Sequence, residues 1–158
     1  MRIGLIADTH GLLRPEAVRA LEGVDLILHA GDIGKPAVLE ALREVAPVEA
    51  IAGNVDRKWC ALPEARWLTV AGRRVLLVHD WKAHGPIQGP ALVVCGHSHR
   101  PGVETRDDVL IVNPGSAGPR RFSLPVSVGF VTVGVDGWTA RTCPLEVAPP
   151  RRRSKRRR

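Results

Sequence analysis

Short apolar runs rich in β-branched residues recur along this chain, and they constrain the fold more than any other feature. A run of four to eight such residues is typical of a buried β-strand and is too short for most helices. Nine runs predict strands, at Arg2–Ala7, Asp25–Ala30, Val48–Ala52, Arg66–Val70, Arg73–Val78, Ala91–Cys95, Val109–Val112, Val126–Val133 and Trp138–Pro144.

Two segments between the first three strands begin with proline and predict helices at Pro15–Leu21 and Pro36–Val45. Proline suits the first position of a helix, where no backbone N–H is needed. The first half therefore alternates strand and helix, and this order predicts parallel strands with crossover helices. The closely spaced strands of the second half, joined by Gly, Asp and Pro, predict hairpins.

The 158 residues suit one domain with a sizeable core. No apolar stretch approaches the roughly 18–20 residues that span a bilayer, so we expect no membrane span. The cysteines are Cys60, Cys95 and Cys143. An odd number without a C-x-x-C pair predicts reduced thiols and a cytoplasmic location.

The formal net charge of +7 comes from the end of the chain, because the segment Arg151–Arg158 carries seven positive charges and no negative one. Without it the chain is formally neutral. We therefore expect a domain at residues 1–146 and a flexible basic tail at 147–158. Such a tail either is solvated without a role or makes nonspecific contacts with nucleic acid or another polyanion.

Polar side chains that can bind metal follow most of the predicted strands, at the point where each strand ends. In an open α/β sheet the ligand site lies at the carboxyl ends of the strands, so parallel strands would bring these donors together. The pair His97 and His99 could by itself be a surface turn, and only the recurrence favours a site. The candidate ligands are Asp8, His10, Asp32, Asn54, His79, His97 and His99.

Seven donors are too many for one tetrahedral ion, and they suit two divalent ions that share a carboxylate. The mixture of carboxylate, imidazole and amide oxygen favours manganese, with iron, zinc and nickel as alternatives, over calcium. Two ions about 3.5–4 Å apart are the usual arrangement for hydrolysis at phosphorus by a metal-bound hydroxide. The pattern therefore predicts a dimetal phosphoesterase.

The motifs D-x-H at Asp8, G-D at Asp32, G-N-x-D at Asn54, G-H-x-H at His97 and N-P-G-S at Asn113 resemble those of the calcineurin-like metallophosphoesterases. Within that family the chain is similar to the small bacterial and archaeal phosphodiesterases of the YfcE type. The resemblance covers residues 1–144 and implies a four-layer α/β/β/α sandwich with two mixed sheets.

The resemblance also implies a division of the ligands between the two ions. Asp8, His10 and His99 would hold the first metal, Asn54, His79 and His97 would hold the second, and Asp32 would bridge them. The substrate would be a small phosphoester. A phosphodiester is the leading prediction, and a phosphomonoester or a protein-binding role on the same fold are the alternatives. The sequence leaves open whether the protein forms a homo-oligomer.

Three features depart from the family pattern. Val55 stands where many relatives carry histidine and the YfcE-like subgroup cysteine, and valine cannot donate a proton. His79 is followed by Asp80 instead of glycine, which leaves His84 as the alternative ligand. The segment 80–90 is short and holds two glycines and two prolines, so we expect no helix there.

Two polar residues near the motifs have simpler interpretations. Asp56 is expected to brace the loop that carries Asn54. His29 lies inside a predicted strand and is expected to be a core histidine with satisfied hydrogen bonds.

Overall fold

The computed structural model describes residues 1–148. Three helices and ten strands occur in the order β1 (Arg2–Ile6), α1 (Pro15–Leu21), β2 (Leu26–His29), α2 (Pro36–Arg43), β3 (Val48–Ala50), β4 (Ala65–Val70), β5 (Arg73–Val78), α3 (Trp81–His84), β6 (Ala91–Val94), β7 (Gly102–Arg106), β8 (Val109–Asn113), β9 (Ser127–Gly134) and β10 (Gly137–Pro144). The predicted tail at 147–158 lies almost entirely outside the described residues, and the boundary at residue 146 stays a prediction.

The strands form two mixed sheets of five, in the orders β10-β9-β1-β2-β3 and β4-β5-β6-β8-β7. In the first sheet β1, β2 and β3 are parallel, and β9 and β10 are antiparallel additions. In the second sheet β5, β6 and β8 are parallel, with β4 and β7 antiparallel at the two edges. The prediction of an α/β fold with two mixed sheets is confirmed.

The alternation of side chains along each strand builds the layers. On β1 and just beyond it, Ile3, Leu5 and Ala7 are fully buried between the two sheets, whereas Ile6 faces the helices. On β5 the inward residues Val75 and Leu77 pack against the other sheet. Strands that are buried on both faces have no polar alternation, which explains why they appear as continuous apolar runs.

The outer layers of the sandwich are unequal. Helices α1 and α2 cover the first sheet with Ala17, Leu21 and Leu42, which are completely buried. Within residues 1–148 the second sheet carries only the four-residue helix α3, and Trp81 packs there against a cluster that includes Leu76. No helix within residues 1–148 is long and apolar enough to cross a membrane.

The expectation that segment 80–90 holds no helix was wrong, because α3 begins directly after Asp80. The Asp80 side chain accepts a hydrogen bond from the backbone N–H of Lys82 and so caps this single turn. The helix ends at His84, since Gly85 has a φ of 87° and two prolines follow.

Two further predictions about the second half need correction. Its strands are not only hairpins, because β5, β6 and β8 run parallel and bring their carboxyl ends to one edge. Strand β7 (Gly102–Arg106) was not predicted at all. All five of its residues are exposed at a sheet edge, so it lacks the apolar pattern by which a strand is recognised.

Candidate metal centre

The carboxyl ends of the parallel strands of both sheets meet at one edge of the sandwich, and the seven candidate ligands lie in the loops there. Asp8 and His10 follow β1, Asp32 follows β2, and Asn54 follows β3. His79 directly follows β5, and His97 and His99 lie in the turn after β6. The convergence depends on the parallel direction of these strands in the two sheets.

Asp8, His10 and His99 form the first group. The carboxylate atom Oδ1 of Asp8 lies 3.3 Å from Nε2 of His99 and 4.0 Å from Nε2 of His10. The two imidazole Nε2 atoms are 3.4 Å apart. One ligand atom from each of the three residues lies within 4.8 Å of the others, a spacing that suits one metal ion.

Asp8, Asp32 and His79 form a second group with the same spacing. Nε2 of His79 lies 3.3 Å from Oδ2 of Asp32 and 3.9 Å from Oδ1 of Asp8. The same Oδ2 of Asp32 is 3.7 Å from Nε2 of His10, so this carboxylate lies between the two groups. Asp8 takes part in both groups, a feature that the sequence did not suggest.

The two remaining candidates, His97 and Asn54, lie at the rim and are exposed. The His97 ring stands edge-on to His79, with 5.2 Å between the ring centroids. Asn54 lines a shallow cavity together with His79 and His84. The structure therefore gathers five of the predicted ligands tightly and leaves these two at the opening.

His79 and His84 occupy different environments. His79 is buried, with its ring nitrogen beside Asp32. His84 is exposed on α3, and its ring lies edge-on to Trp67 at a centroid distance of 6.4 Å. Of the two histidines, only His79 belongs to the cluster of carboxylates and imidazoles.

Several buried polar atoms of the cluster have no hydrogen-bond partner. They are Oδ1 of Asp8, Nε2 of His79 and Nδ1 of His99. A buried polar atom without a partner costs about 1–3 kcal/mol, so native proteins rarely leave one without a reason. Carboxylate oxygens and imidazole nitrogens are also good ligands for transition metals. The donor set and its unsatisfied atoms fit bound divalent cations.

The backbone at this cluster is conformationally unusual. Asp8, His10, Asp32, His97 and His99 all have positive φ, between 46° and 68°. The left-handed region is uncommon for residues other than glycine, and such positions concentrate where function requires them. Five of the seven candidate ligands share this conformation, so the turns are bent to direct their side chains towards one point.

Glycines allow the ligand loops to approach one another. A Cβ atom on Gly53 would lie 2.2 Å from both the backbone nitrogen and Oδ1 of Asp32. A Cβ atom on Gly96 would lie 2.9 Å from Oδ2 of Asp8. The glycine before Asn54 and the glycine before His97 are therefore steric requirements of the cluster.

Asp56 braces two ligand loops, as the sequence predicted for one of them. Its buried carboxylate accepts hydrogen bonds from the backbone N–H groups of Gly53 (2.8 Å), Ile33 (3.0 Å) and Gly34 (2.9 Å). The carboxylate thus joins the loop that carries Asn54 to the loop that carries Asp32.

His29 is the buried, hydrogen-bonded histidine that the sequence predicted. Its Nδ1 accepts a hydrogen bond from the Gly31 N–H (3.2 Å), and its Nε2 is 3.0 Å from the Thr9 hydroxyl, which donates to the Ile33 carbonyl (2.9 Å). Burial lowers the pKa of His29 to about 4, so the ring is neutral with its proton on Nε2.

Thr9 is a supporting residue that was not found from the sequence. It lies inside the D-T-H motif and links β1 to the loop after β2, because its hydroxyl donates to the Ile33 carbonyl. The Ser116 hydroxyl, in the N-P-G-S motif, donates to the Asp8 carbonyl at 3.0 Å. Asn113 holds the turn after β6, because its Nδ2 donates to the Gly96 carbonyl at 2.8 Å.

The carboxylate of Asp32 is strongly acidic. Burial raises the pKa of Asp32, but the imidazole of His79, the Val55 N–H and the imidazole of His10 together lower it to about 2. Burial lowers the pKa of His79, but the neighbouring carboxylate of Asp32 produces a net rise. Burial also lowers the pKa of His10, and there it outweighs the carboxylates. Concentrated negative charge of this kind attracts cations.

Comparison with known proteins agrees with this geometry. The protein-family model for the calcineurin-like phosphoesterase superfamily domain matches residues 1–136 of the sequence. A probable metallophosphoesterase of Methanothermobacter thermautotrophicus is 37% identical over 153 residues, covering 87% of each chain. The chain belongs to the calcineurin-like phosphoesterase superfamily. Members of this family hydrolyse phosphoester bonds and use a dimetal site, so the chain is a metal-dependent phosphoesterase.

Two further similarities concern YfcE and Vps29. Phosphodiesterase YfcE of Escherichia coli is 31% identical over 162 residues, covering 83% of this chain and 87% of YfcE. The solved YfcE structure superposes with a TM-score of 0.67 at 25% identity, over 86% of this chain and 90% of that one. A zinc complex of Vps29 from Entamoeba histolytica superposes with a TM-score of 0.67 at 18% identity, over 91% of this chain and 99% of that one. At this low identity the similarity shows only that the two proteins share a fold.

We predict that Asp56→Ala lowers the free energy of unfolding by about 3 kcal/mol or more, because three buried N–H groups lose a charged acceptor. Urea denaturation monitored by tryptophan fluorescence measures this change. Glu40→Ala, on the exposed face of α2, is the control and should change stability by less than about 0.5 kcal/mol. Equal effects of the two substitutions would contradict the bracing role.

Proposed function

We propose that this chain hydrolyses small phosphodiesters with good leaving groups. The observation that carries the proposal is the pair of buried atoms, Asp8 Oδ1 and His79 Nε2, which face a common centre and have no hydrogen-bond partner. The names of the similar relatives, among them a phosphodiesterase, support the same reaction class. Phosphomonoesters are the alternative substrates.

In this proposal Asp8, His10 and His99 would hold one divalent cation, and Asn54, His79 and His97 would hold the other. Asp32 would bridge them, which is supported by the position of its Oδ2 between His10 (3.7 Å) and His79 (3.3 Å). Manganese is the proposed metal, because carboxylate, amide and imidazole donors without thiolate suit it, and iron, zinc and nickel are the alternatives. When bound, such a pair of ions acidifies a water molecule and neutralises charge on the phosphoryl oxygens.

The residues of the chain have separate tasks in the reaction. Asp8 and Asp32 supply the negative charge that retains the cations, and the positive φ angles aim the ligands before the substrate arrives. Burial of this centre makes its electrostatic interactions stronger than they would be in water. Asp56, Thr9 and Asn113 hold the ligand loops at fixed distances, which preserves the arrangement during turnover.

Val55 limits the choice of substrate. It follows Asn54, it is 44% exposed, and its backbone N–H donates to Asp32 Oδ1 at 3.1 Å. Its side chain can neither donate a proton to a departing oxygen nor stabilise charge. A leaving group that departs as a stable anion needs no such help.

The charge of Arg151–Arg158 supports a second proposal, that this segment tethers the enzyme to a polyanion such as RNA. All of the formal net charge resides in these residues. A cytoplasmic location remains part of the proposal and rests on the free thiols of Cys60, Cys95 and Cys143.

We predict that Asp32→Asn lowers the bound metal and reduces phosphodiester hydrolysis roughly 100-fold or more, because an amide is a far weaker ligand than a bridging carboxylate. Metal content by elemental analysis, turnover of bis(4-nitrophenyl) phosphate and circular dichroism are measured together. Asp136→Asn, in the exposed β9–β10 turn, should retain metal and activity. Near-normal turnover by a folded Asp32→Asn protein would disprove the bridging role.

We predict that Val55→His raises kcat/KM for diesters with poor leaving groups by about tenfold or more, because the new imidazole can protonate the departing oxygen. The dependence of kcat/KM on the pKa of the leaving group should become shallower across a series of aryl phosphodiesters. Val55→Leu has no proton donor and should keep the steep dependence. If the two variants behave alike, proton donation at this position is not what restricts the substrates.

We predict that deletion of Arg151–Arg158 leaves turnover of small phosphodiesters and the metal content intact but removes salt-sensitive binding to RNA. Basic side chains that neutralise phosphates release counterions, so binding weakens steeply as salt rises. Fluorescence anisotropy with a labelled single-stranded RNA at several salt concentrations measures the effect. Equally tight binding by the truncated protein at low salt would assign the contact to the folded domain instead.

A further inference from the structure

The outer face of the second sheet carries a groove beside the metal centre, which we call the Trp81 groove. Its volume is about 500 Å³, within the roughly 300–1,000 Å³ range of small-molecule sites. Among the described residues, the short helix α3 is the only helix on this face of the sheet, and the groove lies beside it. Its lining includes Trp81, Lys82, Cys95, His97, Arg100 and Ile111.

The floor of the Trp81 groove is apolar. Cys95 and Ile111 are 2% and 5% exposed, and Trp81 packs against the same cluster. Arg106 lies with its guanidinium 5.1 Å from the centroid of the Trp81 ring and also pairs with Glu104 at 3.3 Å. An apolar floor beside an indole suits an aromatic ring.

The rim of the groove is cationic. Lys82 and Arg100 both line it, and neither forms an ion pair with any residue in the part of the chain that the structure describes. The lining holds two acidic residues, Asp80 and Glu104, and Glu104 pairs with Arg106. With Lys82, Arg100 and Arg106 the lining carries three positive side chains against these two negative ones, and the complement of this net positive charge is an anionic group.

The inner end of the groove is part of the candidate metal centre. His97 lines the groove, and its backbone N–H donates to Asp8 Oδ2 at 3.1 Å. Its ring is 5.2 Å from the ring of His79. A phosphodiester at the metal centre can therefore extend one of its two ester groups past His97 into the groove.

We propose that the Trp81 groove binds the ester group that stays on phosphorus after hydrolysis. We propose that this group derives from an aromatic alcohol with an anionic substituent. The inference rests on the proposed phosphodiesterase function and names the class of its substrate. The aromatic ring lies on the floor, and the anion faces Lys82 and Arg100. Water adds to phosphorus, and the bond to the leaving oxygen breaks. The leaving group departs as its anion, a proton of the water passes to solvent, and the monoester of the retained alcohol is released.

The test compares two diesters with the same leaving group, 4-nitrophenyl phenyl phosphate and 4-nitrophenyl 4-carboxyphenyl phosphate, which differ only in a carboxylate on the retained ring. We expect the metal-loaded enzyme to prefer the carboxylate by about threefold to tenfold in kcat/KM, as one or two exposed ion pairs would produce. In the double variant K82A/R100A the ratio of the two kcat/KM values should fall towards one, and Arg100→Glu should lower it below one.

Arg43→Ala is the matched control, since it removes an exposed positive charge from α2 on the opposite outer face and should keep the ratio. A second readout is independent of turnover. The NMR signal of the Trp81 indole N–H is assigned by its loss in Trp81→Phe. We expect this signal to shift when the product 4-carboxyphenyl phosphate is added, and to shift less in K82A/R100A.

The outcomes separate the two proposals. If both diesters are hydrolysed with equal kcat/KM and K82A/R100A does not change the ratio, the groove proposal is overturned and the phosphodiesterase function stands. If the metal-loaded protein hydrolyses neither diester, both proposals are overturned. A preference for the carboxylate that survives in K82A/R100A would place the anion elsewhere and also overturn the assignment.

Discussion

The buried negative charge of Asp8 and Asp32 is the constraint on which the arrangement of this edge of the fold depends. Both carboxylates are nearly inaccessible to water, and burial of a charge is expensive unless hydrogen bonds or a counter-charge compensate it. The N–H of His97 donates to Asp8 and the N–H of Val55 donates to Asp32, so each carboxylate draws in a loop from a different strand. These contacts leave Oδ1 of Asp8 without a hydrogen-bond partner, so this oxygen is available to bind a cation.

Hydrogen bonds around the two carboxylates hold the polar ligand loops in place at the edge of the apolar sandwich. Asp56 joins two loops through three backbone N–H groups, and Ser116 fixes the Asp8 carbonyl. Positive φ angles at five candidate ligands would be unfavourable in isolated turns. They persist because the packed strands on both sides fix where each turn begins and ends. The stability of the core thus maintains a strained but prearranged site.

The two faces of the sandwich have different consequences for function. The first sheet is covered by α1 and α2 and is closed. In the part of the chain that the structure describes, the single turn α3 is the only helix over the second sheet, and the Trp81 groove lies beside it. Because the segment after His79 forms only one helical turn, part of the outer face of the second sheet stays uncovered next to the metal centre. Val55, whose backbone N–H contacts Asp32, provides no proton donor. Together these features favour an accessible site that acts on activated esters.

The sequence by itself determined the elements and the donors. Continuous apolar runs define buried strands whatever their partners, and the two prolines at helix starts fixed Pro15 and Pro36 as the first helical residues. The seven candidate ligands were evident because a polar residue after an apolar run is a local feature. The sequence did not determine β7, which is an exposed edge strand without an apolar pattern, or the one-turn helix α3, which depends on a single cap.

Only the tertiary structure decided how the donors are grouped. The parallel pairing of β5, β6 and β8 is a long-range property that no local pattern encodes, and it brings His79 and His99 towards β1. The position of Asp8 in both ligand groups, the separation of His84 from the cluster and the cationic groove past His97 follow from that pairing. Sequence patterns identify which residues can bind or pack, but distances between strands arise only when the two sheets are packed face to face.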